Sequence, residues 1–154
     1  MPVVVLSLIF PLAAYADFTG KVVAVADGDT LTVLRDREQV KVRLVEIDAP
    51  EKAQPFGQKS KQSLSDLCFG KTATLADQGS DRYKRTLARV TCDGIDANTE
   101  QVRRGMAWVY RKYAPKDSPL YAVESEAKAA WRGLWADAQP MPPWEWRHSR
   151  KDEQ

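Results

Sequence analysis

Histidine is almost absent from these 154 residues: the only one is His148, in a charged C-terminal stretch. Hydrolysis by histidine needs an imidazole fixed beside its nucleophile, so that chemistry loses its usual carrier. Cysteine is nearly as scarce, at two residues, Cys68 and Cys92. Two cysteines and one histidine fall short of a four-ligand zinc site made from those residues alone. Neither a Gly-x-x-x-x-Gly-Lys phosphate loop nor a Gly-x-Gly-x-x-Gly turn occurs, which removes the usual support for nucleotide-triphosphate and dinucleotide chemistry. Internal repeats and low-complexity tracts are missing too. Net charge is only +2. That is too little to mark a nucleic-acid partner by itself, so any basic patch must come from position. With 44% hydrophobic and 29% charged residues, the chain is not of the disordered class and suits one domain with one core.

Long apolar runs are also lacking. Residues 3–10 are largely apolar, and residues 1–16 contain no Lys, Arg, Asp or Glu. The run is too short to span a bilayer, and it ends in Ala14-Tyr15-Ala16, a small-x-small cleavage pattern. This reads as a secretory leader over residues 1–16, with no basic residue before its apolar part; a buried N-terminal strand is the alternative. The mature chain is then expected to be periplasmic or secreted, without a membrane span. An oxidising compartment favours a disulfide between Cys68 and Cys92 over two buried thiols.

Valine-rich and alternating segments predict strands over residues 19–26, 30–34, 39–45, 72–76 and 86–92. Asp27-Gly28-Asp29 is the turn between the first two. In the third, Val40, Val42 and Leu44 share one face and Lys41 and Arg43 the other, until the alternation breaks at Val45-Glu46-Ile47. Leu64 and Leu67 predict a helix over residues 59–67, stopped by Gly70. Asn98 is placed to cap a short helix ending at Gly105, and Ser118-Pro119 to start one running to about Trp131. Five strands and three helices predict an α+β domain with a small barrel. Antiparallel pairing of the fourth and fifth strands brings Cys68 and Cys92 together, a cross-link worth roughly 3 kcal/mol.

What remains for chemistry is carboxylates and arginines. Asp27, Asp29, Asp48 and Glu51 all fall at strand ends or just beyond, an oxygen-only set suited to a hard cation such as calcium or magnesium. Arg43 lies on the non-core face of a strand that ends next to Asp48, and Arg85 stands just before the fifth strand. Two guanidinium groups beside a metal can hold a phosphate and offset charge growing in a transition state. Metal, carboxylate base and arginines together can hydrolyse a phosphodiester without histidine. Taken singly, each motif is equally a hairpin turn, a loop entry or a solvated loop; their order and spacing carry the signal.

Val25-Ala26-Asp27-Gly28-Asp29-Thr30, the segment from Val42-Arg43 through Asp48-Ala49-Pro50-Glu51, and Asp81-Arg82-Tyr83-Lys84-Arg85 together resemble the staphylococcal nuclease family. The segment from Gln101 to Val109 and Gly133-Leu134-Trp135 continue the likeness. The resemblance implies a five-stranded OB-fold barrel with three helices over residues 17–138, followed by a Pro- and Trp-containing charged tail over residues 139–154. It implies calcium-dependent hydrolysis of DNA and RNA, single-stranded or locally melted, to 3′-phosphates. By the same resemblance Asp29, Asp48 and the carbonyl of Ala49 bind calcium. Glu51 is the general base, Arg43 and Arg85 hold the phosphate, and Tyr83 and Tyr113 line the nucleotide pocket. Lys84 departs from a common glycine and Arg111 from a tyrosine. Trp144 and Trp146 either pack on the barrel or stack on bases. A monomer is the default. The rival from another class is a non-catalytic OB-fold module that binds single strands, and Glu51 together with Arg43 and Arg85 discriminates, because a binder has no need of a carboxylate beside phosphate. A calcium-stabilised structural protein would explain the aspartates but not Arg43 and Arg85.

Overall fold

In the computed structural model, residues 16–152 are described; the leader expected over residues 1–16 lies outside them except for Ala16. Val22, Leu31, Val33, Val42 and Leu44 occupy alternating strand positions and are fully buried, which gives each strand one dry face. They belong to β1 (Phe18–Asp27), β2 (Thr30–Arg35) and β3 (Glu38–Leu44), an antiparallel meander with Val25 opposite Leu31 and Val33 opposite Val40. The two-residue strand β4 (Ile47–Asp48) and helix α1 (Gly57–Cys68) follow. Strand β5 (Thr72–Ser80) then pairs antiparallel with the first half of β1. Strand β6 (Thr86–Cys92) runs antiparallel to β5 and parallel to β3, with Val42 opposite Thr86. That parallel pairing closes the five long strands into a barrel. Register shifts at Val22–Ala24 and Val25–Asp27 let β1 bend and serve both of its neighbours.

The chain continues through β7 (Ile95–Asp96), α2 (Ala97–Arg103) and β8 (Trp108–Val109), which pairs with β4. Helix α3 (Leu120–Ala129), a 3-10 turn over Gly133–Ala136 and α4 (Pro143–Ser149) complete it. Three helices are expected from the sequence, but the described residues form four α-helices. The extra one, α4, lies in the Pro- and Trp-containing tail, where no helix is expected from the sequence. Pro143 sits in the helix's first turn, where its missing N–H costs nothing. Seven residues do not sustain a helix in water, so docking holds it. Trp144 stacks on Tyr110 with centroids 5.6 Å apart and packs edge-on against Trp108 at 5.7 Å.

Asn98 does not cap α2. Asp96 does, its Oδ1 accepting from Thr99 N at 3.0 Å. Asn98 is fully buried and braces the barrel instead: Nδ2 donates to Val45 O (2.9 Å), and Oδ1 accepts from Val90 N (2.9 Å). Cys68 and Cys92 form the expected disulfide, linking the end of α1 to the end of β6 across a sequence separation of 24. Among the described residues, no helix is long and apolar enough to cross a membrane.

Candidate active site

Asp27-Gly28-Asp29 turns the chain from β1 into β2 at one end of the barrel. A Cβ at Gly28 would overlap the hydroxyl of Ser60 on α1. From the other side, Gln101 Nε2 on α2 donates to Gly28 O at 2.7 Å. Pressed between two helices, the turn aims Asp29 inward, where it is only 5% exposed. Its Oδ1 accepts from Thr30 Oγ1 at 3.0 Å and its Oδ2 from Ala49 N at 2.6 Å.

Opposite Thr30 in the β2–β3 register stands Arg43. Its Nη2 lies 3.2 Å from both Asp29 Oδ2 and Asp48 Oδ1. Its Nη1 donates to Leu44 O (2.6 Å) and Ile47 O (2.9 Å). The broken alternation at Val45-Glu46-Ile47 thus folds the chain around a guanidinium, with Glu46 taking a left-handed φ of 64°. Asp48 follows, on β4, and is almost wholly buried.

Burial and mutual repulsion set the electrostatics. Burial pushes the Asp27 carboxyl up to about 7, and the neighbouring charge of Asp29 adds to the rise. Asp48 is raised as well, chiefly by burial; a hydrogen bond from Arg147 pulls the other way, and the charge of Asp29 adds to the rise.

Arg147 is the residue that sequence reasoning misses. From α4, its Nη2 reaches Asp48 Oδ2 at 2.7 Å, while its Nη1 lies 2.7 Å from Glu51 Oε1 and 3.3 Å from Asp48 Oδ1. Those partners are 96 and 99 residues away in the chain, so no local spacing signals the pairing. Burial alone would lower the Arg147 pKa, but the bonds to Asp48 and Glu51 prevail and raise it. Gln54 is a second omission. Its Oε1 accepts from Glu51 N (3.0 Å) and its Nε2 donates to Met141 O (2.6 Å), tying the Glu51 loop to the tail.

Asp29, Arg43, Asp48, Ala49 and Glu51 therefore converge, and Arg85 does not join them. Its Nε donates to Asp81 Oδ2 at 2.8 Å and its guanidinium lies over the Tyr83 ring, centroid 5.5 Å away. Among the described residues it makes no hydrogen bond to the acidic cluster. It is nonetheless close by topology, because Thr86 pairs with Val42 and so places Arg85 alongside the strand that carries Arg43. Lys84 takes a left-handed φ of 62°, which explains why glycine suits that position. Tyr83 and Tyr113 are both exposed. Tyr113 packs edge-on against Tyr110, the ring on which Trp144 stacks.

The donors fit a hard cation in kind, since all are oxygens. Arg147 shows that a positive group is accommodated between Asp48 and Glu51. As they stand among the described residues, no three His, Cys, Asp or Glu side chains form a group that could hold a metal ion. Instead, guanidinium groups bridge the carboxylates in pairs.

Comparison with known proteins places the fold in a family. The model of a family described as "Staphylococcal nuclease homologue" matches residues 41–137. An "Uncharacterized endonuclease" of Haemophilus influenzae is 50% identical over 135 residues, covering 86% of this chain and 75% of the relative. A protein of the same description from Escherichia coli is 44% identical over 151 residues, 97% of each chain. "Micrococcal nuclease" of Shigella flexneri is 41% identical over 155 residues, covering 94% of this chain and 89% of its own.

Proposed function

The chain belongs to the staphylococcal nuclease family, and on that premise we propose that it is a calcium-dependent endonuclease that hydrolyses DNA and RNA to 3′-phosphate products. Membership supports nuclease activity in general. The observation that carries the finer reading is the meeting of buried Asp29 and Asp48 across Arg43, with Glu51 beside them.

Asp29 and Asp48, with the carbonyl of Ala49, are the groups that would hold calcium. When bound, calcium supplies positive charge to the phosphate oxygens and acidifies a neighbouring water. Glu51 accepts the proton of the attacking water at a carboxylate oxygen, as general base. Arg43 and Arg85 grip the non-bridging phosphate oxygens, Arg85 by giving up part of its bond to Asp81, and stabilise charge that builds there. Tyr83 and Tyr113 offer exposed rings to the bases of a single-stranded or locally melted substrate. The protein acts as a monomer in the periplasm or outside the cell, after loss of residues 1–16. A binding module without chemistry would have no use for Glu51 at this point.

The test is incubation of the mature protein with single-stranded DNA and RNA, in calcium and then in chelator. Cleavage confined to the calcium arm, with 3′-phosphate ends, is expected. Intact substrate in both arms would refute the proposal.

A further inference from the structure

We propose that Arg147 is a tethered cation, held where a divalent metal would draw on Asp48 and Glu51, so that metal binding and docking of the C-terminal helix compete. The inference rests on the metal-site reading above and adds an internal rival to it. Arg147 lies beyond the span matched by the family model, which ends at residue 137.

One guanidinium engages both oxygens of Asp48 and one oxygen of Glu51. Two-pronged pairing of this kind is the strong form of the arginine–carboxylate bond. Oxygens turned toward a guanidinium are poorly placed for a metal, and the two positive charges repel at such separation. The contact is also built to let go. Arg43 is 12% exposed at its side chain and donates to two main-chain carbonyls, which makes it a fixture. The Arg147 side chain is 38% exposed, and its only hydrogen bonds among the described residues go to Asp48 and Glu51. It can swing into water without stranding any other partner.

The helix that carries it is placed by contacts outside the acidic cluster. Trp144 sits on Tyr110 and Trp108, and Gln54 links Met141 O to Glu51 N. Release of Arg147 removes one of the ties that hold α4 to the Asp48–Glu51 cluster, so α4 loosens when a metal takes its place.

Calorimetric titration of calcium into the full chain tests this. Arg147→Met keeps the apolar stem, removes the charge and should tighten calcium on the order of tenfold. Arg147→Lys, which keeps the charge, should stay nearer the parent. Trp144→Ala, which loosens the helix but spares Arg147, should also tighten calcium and covers a failure of the first variant to fold. In chelator Arg147→Met should melt below the parent, because Asp48 and Glu51 lose their counter-ion; saturating calcium should erase or reverse the difference. Amide exchange over residues 143–149 should quicken in the parent when calcium is added. Equal or weaker calcium binding by Arg147→Met refutes the competition and leaves the metal site standing. No calcium binding by parent or variants refutes both.

Discussion

Asp48 and Glu51 share one guanidinium but not one environment. The Asp48 side chain is 2% exposed and that of Glu51 is 38% exposed. A buried carboxylate is suited to holding an ion, whereas an accessible one can take a proton and pass it on to water. Glu51→Gln should therefore lower single-turnover cleavage by about 10²–10⁴-fold while leaving substrate affinity near the parent's. Full activity in that variant would remove Glu51 as the base. Arg85→Ala should lower turnover by about 10²–10³-fold, more than it weakens binding; a change confined to affinity would exclude a role in the transition state. At Gly28 the lack of space against Ser60 predicts that Gly28→Ala costs about 1–3 kcal/mol and displaces Asp29, measurable by chemical denaturation. That Asp29, Arg43 and Asp48 meet could be anticipated because each stands near a strand end, where alternation or a turn signal breaks, whereas Ala49 was named only through the family resemblance. Arg147 was not, because the only thing joining it to Asp48 is the folded chain itself.

Loops and short helices mark the next scale, where sequence was a weaker guide. The loop between β5 and β6 is held by Asp81, which accepts from Tyr83 N (2.9 Å), Arg85 N (3.0 Å) and Arg85 Nε (2.8 Å). Burial pulls the Asp81 carboxyl up, but these bonds prevail and hold it below its ordinary value of 3.8. A carboxyl lowered by folding stabilises the native state above its unfolded pKa and gives that up as pH falls through its folded one. The loop should thus stay closed through mild acid and open only below about pH 3.8, read as faster amide exchange at Tyr83 and Arg85. Asp81→Asn should remove that acid transition, because an amide does not titrate in this range. The start of α2 shows how far local rules reach. Both Asp96 and Asn98 are good capping residues, and only tertiary demand, the open backbone groups of Val45 and Val90, assigns Asn98 elsewhere. The helix α4 escaped for a related reason: its stability resides in aromatic docking rather than in any periodic pattern of its own.

Across the whole molecule the β1–β3 meander was the most legible feature, since hydrophobic alternation and turn residues agree over it. A small barrel was expected as well, but the parallel pairing of β3 with β6 that closes it was not read, because it has no turn to announce it. The disulfide adds a second long-range tie. Removing it by Cys68→Ser with Cys92→Ser should cost roughly 3 kcal/mol, seen as a lower denaturation midpoint, and an unchanged midpoint would deny it a stabilising part.

The β3–β6 pairing has one more consequence. Arg43 lies on one of the two strands that meet there, Arg85 immediately precedes the other, and Asp48 stands on β4, shortly after the end of β3. Such a junction joins chain segments that are far apart in sequence, and non-local contacts are the slow ones to form. On the proposed activity, a nascent or unfolded chain carries every reactive side chain and yet has no assembled centre. The cell that makes it is guarded by topology: the polypeptide becomes dangerous to nucleic acid only once its barrel has shut.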